Sequence, residues 1–525
     1  MAKRLHFNFK GGKLQNSRTA KTAKNAVFGL ASQIINIIIS FISRTVFIYV
    51  LGVEYLGING LFTNILMLLS FAELGIGNAI IYSMYKPLAL NDKEKIKSLM
   101  ALYAKAYRII GLFVFVAGLL VIPFMDYIIK DAPDIKENIN FIYILFLLNT
   151  SLSYFFVYKK SIIIADQKNY IVLFYQQLFK IIQTVAQIVF LLVTGAYIIF
   201  LIIQILTTLL DNIYVSRKAN KMYPFLLDQT IKPLDKKERN SIFSNVKALF
   251  LYKFGSVILN GTDNIIISAI IGITAVGLNS NYVLIISAIT AIGGQIMNGF
   301  TASVGNLNAV GTLESKERVF NKIFFVSAWM YGFCAVGLYL FLNKLIVLWL
   351  NETYIFSELV VFAIVLHFYV NSVHFTAYTY RVTMGLFVQG RWAPLAAAII
   401  NIALSLWLGI TFGLAGIFFA TSIARFFTTG IVDPILVYRN GFNKNPIFYY
   451  KLYFSYAGLF MALYFLMDYV ITFIQFGGIA GFAVEVLTVS ILFNVLMVLI
   501  FRRNQNFIEI KNSLLSIVKS KVNRR

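Results

Sequence analysis

Acidic side chains are scarce in this chain: 22 Asp and Glu stand against 46 Lys and Arg in 525 residues. Charge of either sign makes up only 13%, where a soluble globular chain carries about a quarter. A soluble globular class is therefore excluded. The 59% hydrophobic content and the mean hydropathy of +0.77 leave room for many apolar spans, each of about 20 residues. Cysteine is almost absent. The single Cys334 lies inside an apolar run, which excludes an intrachain disulfide and a cysteine metal site. Histidine is nearly as rare, with three. His367 and His374 share a helix face, but seven residues is about 10.5 Å along a helix. That is too far for both to ligate one zinc ion at about 2.0–2.1 Å. There is no Walker motif, no paired catalytic carboxylates at helical spacing and no Ser/His/Asp pattern worth quoting. The chain reads as a non-enzyme without a cofactor, and any energy it uses would come from an ion gradient or the membrane potential.

What is present is a series of apolar runs separated by short polar turns. They predict fourteen spans, near 25–51, 57–84, 99–124, 139–165, 169–194, 196–216, 243–271, 274–307, 319–343, 357–388, 390–412, 414–438, 446–468 and 476–501. The first run is too long for the 7–15-residue core of a cleaved signal peptide and reads as a retained helix. Charge location tests this scheme independently. With the N-terminus inside, 35 of the 46 Lys and Arg fall on cytoplasmic segments and only Lys130, Lys136 and Lys344 outside. That is the positive-inside bias of a protein with both termini in the cytoplasm. The net charge of +24 is thus explained by membrane orientation, and nucleic acid is not a partner.

The two halves repeat. Asn25, Leu51-Gly52, Gly57, Asn59 and Asn78 recur at one constant offset, without a gap, as Asn245, Ile271-Gly272, Gly277, Asn279 and Asn298. The seventh span starts on the same side as the first, so the two six-helix units are parallel repeats about an axis along the membrane normal. The expected fold is an all-α integral membrane protein of about fourteen transmembrane helices. Its parts are a basic N-terminal tail (1–24), an N-lobe (25–216), a Lys-rich linker (217–242), a C-lobe (243–438), two appended helices (439–501) and a basic tail (502–525). The short external loops weigh against a membrane glycosyltransferase or polymerase, whose acid/base chemistry needs carboxylates on a sizeable folded external loop.

Polar residues inside the spans line up on helix faces. Gln33, Asn36, Ser40 and Arg44 share a face of the first span, and Lys253, Ser256, Asn260 and Asp263 follow the same pattern on the seventh. Lys180 lies with Gln176, Gln183 and Gln187 on the fifth span. His374 lies with His367, Tyr378 and Arg381 on the tenth, and Arg425 stands between Thr421 and Thr428 on the twelfth. Each ionisable group within a span costs about 2.5–3.5 kcal/mol on insertion scales, so it normally faces a watery cavity or a partner. Cations outnumber anions in these spans, which implies an anionic ligand and argues against an exporter of cationic drugs. Arg offers a planar fork for phosphate and Lys a point charge. The candidate substrate-binding residues are Arg44, Lys253, Lys180, Arg381, Arg425, Gln33, Asn36, Asn260 and His374. The candidates for ion coupling are Glu73 and Asp263.

The segments Leu51-Gly52-Val53-Glu54-Tyr55-Leu56-Gly57 and Phe71-Ala72-Glu73-Leu74-Gly75-Ile76-Gly77-Asn78-Ala79 resemble the first two spans of lipid-linked oligosaccharide flippases. These are the Wzx-like members of the multidrug/oligosaccharidyl-lipid/polysaccharide exporter superfamily. The resemblance implies a V-shaped, alternating-access flippase in a bacterial cytoplasmic membrane. Its partner would be an undecaprenyl-pyrophosphate-linked repeat unit of a capsule, O-antigen or teichoic-type polysaccharide. It also implies membrane lipid, a coupling ion (H+ or Na+), and a polysaccharide polymerase or glycosyltransferases as partners. It places Arg44, Glu73, Lys253 and Asp263 in the cavity. The resemblance implies that arginines on the first span meet the pyrophosphate, and this chain has only one there, Arg44. Two alternatives stay open: an ion-coupled small-molecule exporter of the same fold, and a membrane glycosyltransferase or polymerase.

Overall fold

The computed structural model describes residues 11–73, 76–131, 133–228, 232–386, 389–474 and 477–522. The first ten residues of the basic tail, Leu74-Gly75 and the last three residues lie outside that set, as do the side chains of Asn25, Asn78, Asn245 and Lys247. The chain is all-helical over what is described, with eleven helices long and apolar enough to cross a membrane and a shorter apolar one at Val53–Leu69. It is a multi-pass membrane protein.

Two compact units divide it, Met1–Val257 and Ile258–Arg525. The first holds α1 (Gly11–Leu51), α2 (Val53–Leu69), α3 (Ile76–Ala89), α4 (Lys93–Leu119), α5 (Ile139–Val157), α6 (Lys160–Ala165), α7 (Asn169–Thr194) and α8 (Tyr197–Met222). The helix α9 (Lys236–Gly261) runs across the division. The second unit holds α10 (Asp263–Ile270), α11 (Ile273–Val310), α12 (Leu313–Trp349), α13 (Glu358–Val373), α14 (Phe375–Thr383), α15 (Ala393–Phe427), α16 (Thr429–Leu436), α17 (Ile447–Ile471), α18 (Gly478–Phe501) and α19 (Gln505–Val522).

Several expected spans are broken helices. The second is α2 and α3 with a 3-10 turn, Ser70–Glu73, between them; the fourth is α5 and α6; the seventh is α9 and α10; the tenth is α13 and α14. The eleventh and the first part of the twelfth are one continuous stretch, α15, that doubles back at Gly413 (φ 60, ψ −141), and α16 completes the twelfth. A rung between its two arms proves the hairpin: Asn401 Nδ2 donates to Thr421 Oγ1 at 2.8 Å.

The sequence repeat has a backbone counterpart. Gly52 (φ 90, ψ −176) and Gly272 (φ 132, ψ 165) each end one helix and start the next, at matched positions of the two copies. That region of backbone space is essentially open to glycine alone, so the matched glycines mark matched breaks. Helix starts elsewhere are fixed by side-chain caps: Asp92 accepts from Lys95 N at 3.0 Å, Asn138 from Phe141 N at 3.1 Å and Thr312 from Ser315 N at 3.3 Å. Each satisfies a backbone donor that the first helical turn leaves unpaired.

The division between the two compact units falls inside α9, at Val257–Ile258. Within the first unit, Phe250 and Phe254 of α9 lie 6.3 and 5.7 Å from the Phe71 ring. The 217–242 stretch is itself docked. Lys97 Nζ binds Asp228 at 2.9 Å, Ser98 Oγ donates to Lys232 O at 2.5 Å, and Lys232 Nζ lies 3.2 Å from Glu94. The appended helices α17 and α18 both pack on α12 in the second unit, and α18 is joined to it by Lys344–Glu485 at 2.8 Å and Trp329–Asn494 at 3.0 Å. The expected basic tail continues as α19, held to α12 by the Lys322–Glu509 ion pair and by Phe507 stacked on Trp329.

Candidate functional site

The second unit gathers a polar cluster where α9 gives way to α10 and meets the α15 hairpin. Asn260 lies at the end of α9, and its Oδ1 accepts from Arg425 Nη2 at 2.9 Å. Asp263 opens α10, and its Oδ1 accepts from Thr421 Oγ1 at 3.3 Å. Asn401, wholly buried, donates to Thr421 and to Ser405 Oγ at 3.2 Å, and its Oδ1 accepts from Thr262 at 3.4 Å. Asn279 of α11 donates to Asn264 Oδ1 at 3.4 Å. Arg425 lies within electrostatic reach of Asp263 and His367. The break at Thr262 is what points these groups inward together, because it frees backbone polar groups that a buried interruption must satisfy locally. A carboxylate with amide and hydroxyl oxygens around it can hold a small cation, while Arg425 can hold an anion.

His374 and Arg425 also line one small cavity with Tyr449 and Tyr453. His374 Nε2 sits 3.0 Å from both Thr429 O and Asp433 Oδ2. Arg381 is different. It is 2% exposed, with Nε 2.8 Å from Asp433 Oδ1. Its guanidinium faces a buried carboxylate inside the unit.

In the first unit, Gln33, Asn36 and Arg44 lie half-buried on α1, which packs on α7. Lys180, at the middle of α7, is exposed, as is Gln176 one turn before it. Gln187 turns inward and donates to Phe200 O at 3.0 Å, which makes it helix-pairing glue. Lys253 is half-buried on α9, next to the Phe254 that packs on Phe71. Glu73 ends the 3-10 turn and accepts from the Tyr107 hydroxyl, to which Tyr103 donates in turn at 3.1 Å. Sequence reading missed the tyrosines and Asn401. Their spacing is the same whether they pack or bind, and only the fold brings them to a carboxylate.

An apolar groove of about 130 Å³ runs between α12, α13 and α17, lined among others by Val336, Tyr339, Phe362, Tyr369, Phe460 and Tyr464.

No protein-family model matches the sequence, and no curated protein matches it. Solved structures nevertheless share its fold, which is that of transporters of the MOP superfamily. A multidrug resistance MATE family transporter of that superfamily, in its inward-facing conformation, superposes with a TM-score of 0.60 at 13% identity, covering 78% of this chain and 96% of that one. Lipid II flippase MurJ, in an inward closed conformation, gives 0.60 at 14% identity over 91% of this chain and 99% of its own. A MOP superfamily transporter from Pyrococcus furiosus with a binding pocket of reversed polarity gives 0.55 at 12% identity, over 79% and 94%.

Proposed function

We propose that this protein is a flippase. It would translocate an undecaprenyl-pyrophosphate-linked oligosaccharide repeat unit from the inner to the outer leaflet of a bacterial cytoplasmic membrane, without chemical conversion. The observation that carries this reading is Lys180. It is an exposed cation at the middle of an apolar 26-residue helix, on a face shared with Gln176 and Gln183. A charge at that depth is costly against lipid tails and is tolerated where it faces water or an anion. Arg44 and Lys253 in the same unit, and Arg425 in the other, extend the cationic character that a pyrophosphate needs. The apolar groove beside Tyr339 and Phe460 suits the hydrocarbon of a lipid carrier. Asp263, with Thr421 and Asn401 around it, supplies an oxygen-rich place for a coupling ion. The fold shared with a lipid II flippase supports a lipid-linked substrate, and the one shared with MATE transporters keeps the small-molecule exporter as the second reading.

The test is flipping of a polyprenyl-pyrophosphate sugar in proteoliposomes, comparing wild type with Arg44→Ala, Lys180→Ala and Lys253→Ala, each shown monodisperse in detergent. Transport by wild type that falls at least tenfold in the folded variants supports the flippase and these cations as its phosphate contacts. Transport that survives all three moves the contacts to Arg425. No transport under any ion gradient turns the reading to the small-molecule exporter.

A further inference from the structure

The last crossing helix, α18, is a run of 24 residues with Glu485 as its one ionisable side chain, and Arg502 and Arg503 follow it directly. Both arginines are exposed. Cations set immediately after an apolar span mark the level of the membrane surface. The chain then turns at Asn504, which caps α19: its Oδ1 accepts from Asn506 N at 2.9 Å and its carbonyl from Ile508 N at 3.0 Å. So short a turn keeps the start of α19 at the level of the arginines. α19 is not among the helices long and apolar enough to cross a membrane.

Two faces can be read on the first turns of α19. Phe507 stacks on Trp329 and Glu509 pairs with Lys322, both on α12. The half-buried Asn506 and Ile510 fall between these contacts at 100° per residue, so this is the docked face. The opposite face carries Ile508 and Leu515, two turns apart on one line. They are 41% and 47% exposed. Lys511, exposed, lies between them along the helix. Among the described residues, the ion pairs in this part of the unit are Lys322–Glu509, Lys344–Glu485 and Lys444–Glu317. None of them uses Arg502, Arg503 or Lys511.

We propose that α19 is an interfacial helix that binds an anionic bilayer surface. Ile508 and Leu515 enter between the headgroups, and Arg502, Arg503 and Lys511 meet the lipid phosphates. A cationic side chain beside exposed aliphatic ones, on a helix that starts at the surface, has the chemistry of an in-plane membrane helix. The stem of Lys511 can lie along the aliphatic pair while its ammonium stays at the phosphates. Two aliphatic side chains are a small apolar anchor, so the charge of the lipid decides the binding. Each cation near an anionic surface is worth about a fivefold gain. The same three cations count against a second copy as occupant, because a two-fold contact would bring like charges together. The inference goes beyond transport and does not depend on what the protein carries.

The test is spin-label accessibility on the full chain in nanodiscs, in a Cys334→Ser background, with the label at Leu515→Cys. Phosphatidylglycerol nanodiscs are compared with phosphatidylcholine nanodiscs. In phosphatidylglycerol the label should be reached by oxygen in preference to a water-soluble nickel chelate. That preference should fall about fivefold or more in phosphatidylcholine, and added salt should shrink the difference. Reversing the charges together, Arg502→Glu, Arg503→Glu and Lys511→Glu, should abolish it. Equal accessibility in the two lipids, or a lipid difference that survives charge reversal, overturns the proposal. Should the triple variant misfold, Lys511→Gln decides, and an unchanged preference overturns it. Dipolar broadening between labels would assign the face to a second copy. Ready access of the chelate in both lipids would leave it to a soluble partner, and either result overturns the proposal. The readout needs no transported substrate, so its failure is separate from failure of the flippase reading.

Discussion

Arg381 Nε lies 2.8 Å from Asp433 Oδ1, and both side chains are 2% exposed. The pair joins α14, the second half of a broken span, to α16. In the first unit Lys160 Nζ lies 2.7 Å from Asp211 Oδ2 and joins α6, again the second half of a broken span, to α8. Lys160 matches Arg381, and Asp211 matches Asp433, at nearly the offset that relates Gly52 to Gly272. An intra-unit ion pair has therefore been kept in both copies. Removing one member of a buried pair strands the other charge and costs about 3–5 kcal/mol. Arg381→Ala or Asp433→Ala should lower the thermal midpoint in detergent sharply, and the double change Arg381→Met with Asp433→Leu should recover most of the loss. Lys160→Ala should cost less, because Lys160 and Asp211 are 10% and 14% exposed. Equal melting of the single and double variants at the Arg381 site would refute the ion-pair account.

Gly52 and Gly458 make opposite predictions. Neither has a neighbour within 4 Å of where a Cβ would stand. Gly52 occupies a backbone region closed to L side chains, so Gly52→Ala should cost about 1–3 kcal/mol in strain alone. Gly458 is interior to α17, where alanine is favoured by up to about 1 kcal/mol. Thermal unfolding of the two variants should therefore shift in opposite directions.

Asn401 ties the α15 hairpin to the start of α10 through Thr421 and Thr262. Hydrogen bonds between membrane helices are worth about 0.6 kcal/mol on average, with a maximum near 1.7. Asn401→Ala should thus destabilise modestly, by about 1 kcal/mol, while disturbing the oxygens around Asp263. If Asp263 holds the coupling ion, transport by this variant should need a higher ion concentration at an unchanged protein yield. Unaltered ion dependence would separate the cluster from coupling.

Outside the spans, Glu509 of α19 is bound to Lys322, whose ammonium holds its carboxyl below the ordinary value near 4.5. A depressed carboxylate contributes stability that is present above its unfolded value and lost as pH falls through its folded one. Docking of α19 should therefore be constant from neutral pH down to about 5 and weaken below the ordinary carboxylate range. Glu509→Gln should be weakened at every pH. Hydrogen exchange of residues 505–512 follows this directly, and Trp329 fluorescence reports it through the Phe507 stack.

Apolar run length and Lys/Arg placement are local quantities, which is why the helical class and the multi-pass character could be read from the chain. The glycine pair Gly52 and Gly272 was legible for the same reason, since a residue that only glycine can be is visible in one dimension. The breaks inside the spans were not. Hydropathy averages across Ser70–Glu73 and across Thr262 without registering that the helix stops there. The partition of the cations was hidden too. Lys180 and Arg381 both sit on polar stripes of apolar spans, and their surroundings separate them: Lys180 is exposed, whereas Arg381 meets Asp433 from another helix of its unit.

The sequence by itself determined that this chain lives in a membrane, that its two halves repeat and that cations lie within its apolar spans, because composition, period and glycine spacing act at short range. Only the tertiary structure decided which charges are paired inside a unit. Burial and pairing depend on what a distant helix brings alongside, as Asp433 does for Arg381, Thr421 for Asp263 and Tyr107 for Glu73.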